Sequence, residues 1–169
     1  MRSAVVERFT WSDDAVMIEV TVASLAAQQF LRGIRPERLE SLVPAATVVE
    51  VPARYRIISE GGYATKFWLI RSGAVALELN LPDRGTMVVE TLGLGDVLGW
   101  SWLFPPYRWS LDAVAAQPAE MLEFDGPAVR AACDQDPALG YELTRRFVVV
   151  AARRLQAARY RLLQASERP

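Results

Sequence analysis

Apolar and polar positions along this chain change their spacing twice. Within residues 22–34, Leu25, Ala26, Phe30, Leu31 and Ile34 recur at helical intervals, and Gly33 stands near the end, so a helix is predicted there. Residues 36–43 read as a second short helix, with Pro36 tolerated in its first turn and Pro44 closing it. The spacing then shortens into β segments divided by turn residues: 47–51, 55–59, 67–71, 74–81, 86–91, 111–115 and 120–124. Pro82, Asp83, Arg84 and Gly85 form a strong hairpin signal, because proline presets φ and glycine accepts a positive φ.

After Asp125 the helical period returns. Residues 126–136 predict a short helix, and from Pro137 nothing breaks a helix for some thirty residues. Along it Val148, Ala151, Leu155, Ala158 and Leu162 repeat at 3, 4, 3, 4, a heptad seam suited to a parallel dimer. The plainer reading of the same stripe is a surface helix lying on the β domain. Residues 1 to about 20 show no clean period; Phe9, Trp11, Val16, Ile18 and Val20 fit a short strand or an arm. The expected organisation is an N-terminal arm over 1–21, helices and β structure over 22–125, and C-terminal helices over 126–169. Short strands at this spacing argue for a sandwich or barrel rather than βαβ units.

Composition narrows the chemistry. With 169 residues, 51% of them hydrophobic and 23% charged, the chain can build one sizeable core. A formal net charge of −1 gives no global attraction to nucleic acid or an anionic membrane. No apolar run reaches the roughly 18 residues a membrane span requires, and the N-terminus lacks the apolar core of a secretory signal. A cytoplasmic location is therefore expected. The single cysteine, Cys133, cannot form an internal disulfide or hold an iron–sulfur cluster. Without histidine, haem of the usual kind, imidazole zinc sites and Ser-His or Cys-His nucleophiles are excluded, so no catalytic or metal site is expected.

The most informative stretch is residues 95–110, Gly-Asp-Val-Leu-Gly-Trp-Ser-Trp-Leu-Phe-Pro-Pro-Tyr-Arg-Trp-Ser. Two close glycines let the backbone turn tightly or approach a ligand. Arg108, nine residues after Gly99, offers a planar fork of donors suited to phosphate. The spacing resembles the phosphate-binding cassette of cyclic nucleotide-binding domains of the Crp–Fnr type. Further matches stand in order along the chain: Gly61-Gly62 after Tyr55-Arg-Ile-Ile, the run from Phe67 through Gly73 to Leu77, Leu92-Gly-Leu-Gly-Asp96, and Asp136-Pro137 before the long helix.

That resemblance implies an α+β fold: a β jelly roll (double-stranded β-helix) with short N-terminal helices and a long C-terminal dimerisation helix. It implies a regulatory signalling module without catalytic activity or cofactor, taking a cyclic nucleotide, cAMP or cGMP, as ligand. It implies a homodimer passing a change to an unidentified protein partner. The ligand-binding residues it points to are Gly99, Trp100, Ser101, Trp102, Arg108, Trp109 and Ser110. In the family the arginine pairs with the cyclic phosphate, and a glutamate after the glycine accepts the ribose 2′-hydroxyl. Arg108 matches the first; Trp100 stands where the glutamate should be and has only a donor to offer.

Trp100, Trp102 and Trp109 are three of the five tryptophans within ten residues. Either they line the pocket as a stacking surface for a planar anion, or they fill it and leave a ligand-free interaction scaffold. Arg108 has its own structural alternative, an ion pair with Asp112 or Asp96 that only braces the cassette. The chain ends at Pro169 a few residues past the seam, and arginines on the outer faces of its last helix suit solvation, so no DNA binding by this chain alone is expected.

Overall fold

Leu25, Phe30, Leu31 and Ile34 are all buried, yet on one continuous helix Leu25 would face about 120–180° away from the other three. The chain resolves this by breaking the helix. In the computed structural model, which describes residues 19–166, α1 (Val22–Ala26) is followed by a 3₁₀ turn over Gln29–Leu31. Thr21 and Ser24 form a reciprocal cap at the start of α1, each side chain accepting from the other's amide. Gln28 between the two pieces is extended. The helix expected over 22–34 is thus corrected to two short pieces that turn both apolar sets towards one core. α2 (Pro36–Glu40) is likewise shorter than expected and continues as a 3₁₀ turn at Val43–Ala45, with Pro44 in its first positions, where a missing N–H costs little. The arm expected over 1–21 lies, up to residue 18, outside the described residues.

Eight strands follow: β1 (Ala46–Val51), β2 (Arg56–Ile58), β3 (Lys66–Ser72), β4 (Val75–Leu81), β5 (Gly85–Leu92), β6 (Val97–Leu98), β7 (Asp112–Ala115) and β8 (Ala119–Asp125). They form two antiparallel four-stranded sheets, in the orders β1-β8-β3-β6 and β2-β7-β4-β5. This is the expected jelly roll. β6, only two residues long, was not legible; it pairs Val97 and Leu98 with Leu69 and Trp68 of β3. The expected turn after Leu81 closes the β4–β5 hairpin, with Gly85 at φ +72°.

β3 carries a continuous apolar run because both of its faces are covered. Phe67 and Leu69 enter a core shared with the helices, while Trp68 and Ile70 enter the core between the sheets. Gly73, between β3 and β4, sits at φ +79°, and a Cβ there would stand 2.1 Å from the Pro118 carbonyl oxygen, so only glycine fits.

α3 (Gly126–Gln135) is capped by Asp125, whose Oδ1 accepts from the Ala128 amide at 2.8 Å. α4 (Pro137–Ser166) is capped by Asp136, which accepts from the amides of Ala138 and Leu139. Leu139, Leu143 and Phe147 of α4 are buried in the helix-side core, with Val150 packed against it. The helix is therefore partly the surface helix of the plainer reading. The heptad positions lie on a different face: Val148, Leu155 and Leu162 are 60%, 53% and 71% exposed.

Candidate functional site

Residues 93–96 fold into a turn that ties the cassette to β3. Asp96 accepts from the Gly93 amide at 2.8 Å, the Gly95 amide donates to the Ile70 carbonyl at 2.9 Å, and the Ile70 amide donates to the Asp96 carbonyl at 3.0 Å. At the other end, residues 107–109 zip antiparallel onto residues 61–64. Ala64 donates to the Tyr107 carbonyl at 2.8 Å, Trp109 to that of Gly62 at 3.0 Å, and Gly61 to that of Trp109 at 2.9 Å. Between the two ends the chain makes turns without a helix.

The pairing of Tyr63 with Arg108 puts their side chains on one face of this ribbon. The Arg108 guanidinium lies 3.6 Å from the Tyr63 ring centroid and donates from Nη1 to the Gly61 carbonyl at 2.8 Å. Both residues are exposed. Strand alternation sends the next side chain, Trp109, to the opposite face. Its indole packs beside Trp68 at 6.1 Å and contributes to both cores. It also covers Gly99, where a Cβ would stand 2.9 Å from Trp109 Cη2 and 3.0 Å from Cζ3. Gly99 is at φ +86°. The glycine and the indole are thus fitted to each other.

The other two tryptophans are engaged as well. Trp102 is wholly buried, stacked on Phe67 at 4.7 Å and edge-on to Phe147 at 5.5 Å, so it presents no face to a ligand. Trp100 is half-buried beneath the Arg154 guanidinium of α4, 4.9 Å above its ring. Arg154 also donates to the Val97 carbonyl and pairs with Glu90 of β5 at 3.5 Å. Burial pulls the Arg154 pKa down from its ordinary value, opposed by Glu90 and Asp96. Ser101 is half-buried and Ser110 exposed. None of the seven expected ligand residues lines either of two cavities, of about 640 and 490 Å³, that open elsewhere on the molecule.

The alternative weighed for Arg108, an ion pair with Asp112 or Asp96, is not formed. Asp112 is 3% exposed and accepts from Arg56, from Asn80 at 2.7 Å and from the Glu60 amide at 2.7 Å. The Glu60 amide, joined by Arg56 and Asn80, holds its carboxyl below the usual carboxylate range despite the burial. Asp112 therefore anchors the residue preceding Gly61, whose carbonyl Arg108 grips. Asp96 is taken up by its own turn.

Arg154 is the residue that sequence reasoning missed. The signal was present: the buried stripe Leu139, Leu143, Phe147, Val150 continues to Arg154 at intervals of 4, 4, 3 and 4. Cations at inward positions of an amphipathic helix mark a specific contact.

Comparison with known proteins agrees with this architecture. The cyclic nucleotide-binding domain family matches residues 48–136. A putative cyclic nucleotide-binding protein from Geobacter metallireducens superposes with a TM-score of 0.73 at 22% identity, covering 80% of this chain and 98% of that one. A CRP-like cAMP-activated global transcriptional regulator of Mycobacterium tuberculosis H37Rv is 24% identical over 78% of this chain and 57% of its own length. Acetyltransferase Pat of Mycolicibacterium smegmatis is 32% identical over 62% of this chain and 31% of its own length. The chain thus spans only about half, or less, of the length of these last two relatives. Through the match over residues 48–136 and the jelly roll that carries it, the chain belongs to the cyclic nucleotide-binding domain family.

Proposed function

We propose that this chain is a cytoplasmic, non-catalytic regulatory module whose cassette is closed by its own side chains and whose output is α4. The observation that carries this reading is the Trp109 indole seated against Gly99. The resemblance puts the start of the phosphate contact at that glycine, and in this reading the indole packed against it takes the space an oxyanion would use. Trp100 adds a second obstacle: it supplies no acceptor for a ribose hydroxyl, and Arg154 already covers it. Losing that hydrogen bond in a desolvated pocket costs about 1–3 kcal/mol.

The output follows from the two faces of α4. Leu139, Leu143 and Phe147 hold its first half to the β roll, while Val148, Ala151, Leu155, Ala158 and Leu162 form the seam of a homodimer. Exposed apolar residues at heptad spacing are costly to leave in water. A change in how Arg154 grips Trp100 would then reach a protein partner through the paired helices.

A second reading is favoured by one observation, the exposure of Arg108, which spends only Nη1 on Gly61. In that reading a cyclic nucleotide is held by Arg108 and the amides of Gly99, Trp100 and Ser101, and Arg108→Ala costs about 1.5–3 kcal/mol of binding. Intrinsic tryptophan fluorescence during titration with cAMP and cGMP separates the two. The closed cassette gives no saturable change up to millimolar ligand, whereas saturation in the wild type that Arg108→Ala abolishes supports the second reading.

A further inference from the structure

We propose that the cavity between α4 and the turn before β6 binds a compact multivalent oxyanion, independently of the cassette. This cavity, about 640 Å³, is lined from α4 by Arg145, Arg146, Arg153 and Arg154, and from the other side by Gln29 and Asp96. Four arginines on one wall would repel one another unless acids balance them. Two are balanced: Arg146 pairs with Glu142 at 3.1 Å and Arg154 with Glu90 at 3.5 Å. The other two are not. Arg145 and Arg153 are exposed and engage no acceptor among the described residues.

Their placement makes them a pair. Eight residues apart, close to two helical turns and about 12 Å, they lie on the same side of α4 with Val149 between them. Each side chain is long enough to bring its guanidinium towards the other over that apolar floor. Arg146 stands behind them, its terminal nitrogens donating to the carbonyls of Phe30 and Arg32. Three acids, Glu90, Asp96 and Glu142, face the same space, so four arginines stand against three carboxylates. The lining is net positive, and the two unpaired guanidinium forks suit an oxyanion, phosphate or carboxylate, that can meet both through paired N–H donors.

The test is calorimetry on the full chain at low ionic strength, with pyrophosphate and citrate as separate probes. Either probe should bind, and the preferred one identifies the oxyanion. Arg145→Gln with Arg153→Gln should weaken it by about tenfold or more. Two controls should leave it within about twofold: Arg159→Gln with Arg161→Gln, which removes the same charge outside the cavity, and Arg108→Gln in the cassette. All these positions are exposed, and circular dichroism confirms that each variant is folded. The proposal is overturned if neither probe binds at millimolar concentration or if the Arg145/Arg153 variant binds like wild type. It is also overturned if a control loses as much. Loss in Arg108→Gln alone would place the anion at the cassette and count against the closed-cassette reading as well.

Discussion

Gly99 and Trp109 stand in each other's way: neither position tolerates a larger neighbour, and each is the other's wall. Gly99→Ala should therefore be strongly destabilising, since a left-handed φ costs about 1–2 kcal/mol for a residue with a Cβ and the contact with the indole adds to it. Urea unfolding of Gly99→Ala, Trp109→Leu and the double variant checks this. Coupling is expected, with the double variant less unstable than the sum of the singles, because the smaller side chain relieves the clash. Strict additivity would mean that the two residues do not share a wall.

Arg154 is expected to hold the middle of α4 to the β roll. Arg154→Ala removes the stack on Trp100, the pair with Glu90 and the bond to the Val97 carbonyl, and should cost about 2–3 kcal/mol. Hydrogen exchange should show faster opening of the helix after Val150, with the strands unchanged. Protection equal to wild type along α4 would remove Arg154 from the output path.

Asp112 gives the stability a pH dependence. Its carboxyl titrates below its ordinary value in the folded chain, so it contributes stability that is present above about pH 4 and lost as the pH falls through the lowered value. Asp112→Ala should cost about 2–3 kcal/mol near neutral pH and flatten the acid limb of the stability curve. Chemical denaturation between neutral and strongly acidic pH measures both effects. A variant whose acid limb matches wild type would assign the dependence to other carboxylates.

The seam on α4 makes a simple prediction about assembly. If α4 pairs as proposed, Leu155→Glu puts an unpaired charge in the apolar stripe, which is costly, and sedimentation is expected to show a dimer for wild type and a folded monomer for the variant. Leu155 is 53% exposed in the single chain, so the substitution leaves each monomer's core intact. A dimer unchanged by Leu155→Glu would place the interface elsewhere.

The strands were legible in the sequence because their punctuation is strong: Gly73 and Gly85 each mark a turn that the structure shows at positive φ. The long helix was legible too, since nothing between Pro137 and Ser166 interrupts it. The break after α1 was not, because Ala26, Phe30 and Ile34 keep helical spacing across it, and only the burial of Leu25 as well shows that two separate pieces face the same core. At the cassette, the sequence showed three tryptophans and an arginine but not their directions. Those depend on the pairing of Tyr63 with Arg108, contributed by a segment more than forty residues away. That register, rather than residue type, sends Arg108 outward and Trp109 onto Gly99.

The claim that the cassette is closed by its own side chains is tested most directly by calorimetry with cAMP and cGMP on wild type and on Trp100→Glu with Trp109→Ser. The double substitution restores an acceptor beside Gly99 and clears the indole from it. Wild type is expected to release no binding heat up to millimolar ligand, and the double variant to bind at least one of the two nucleotides. Saturable binding by wild type, abolished by Arg108→Ala, would contradict the account.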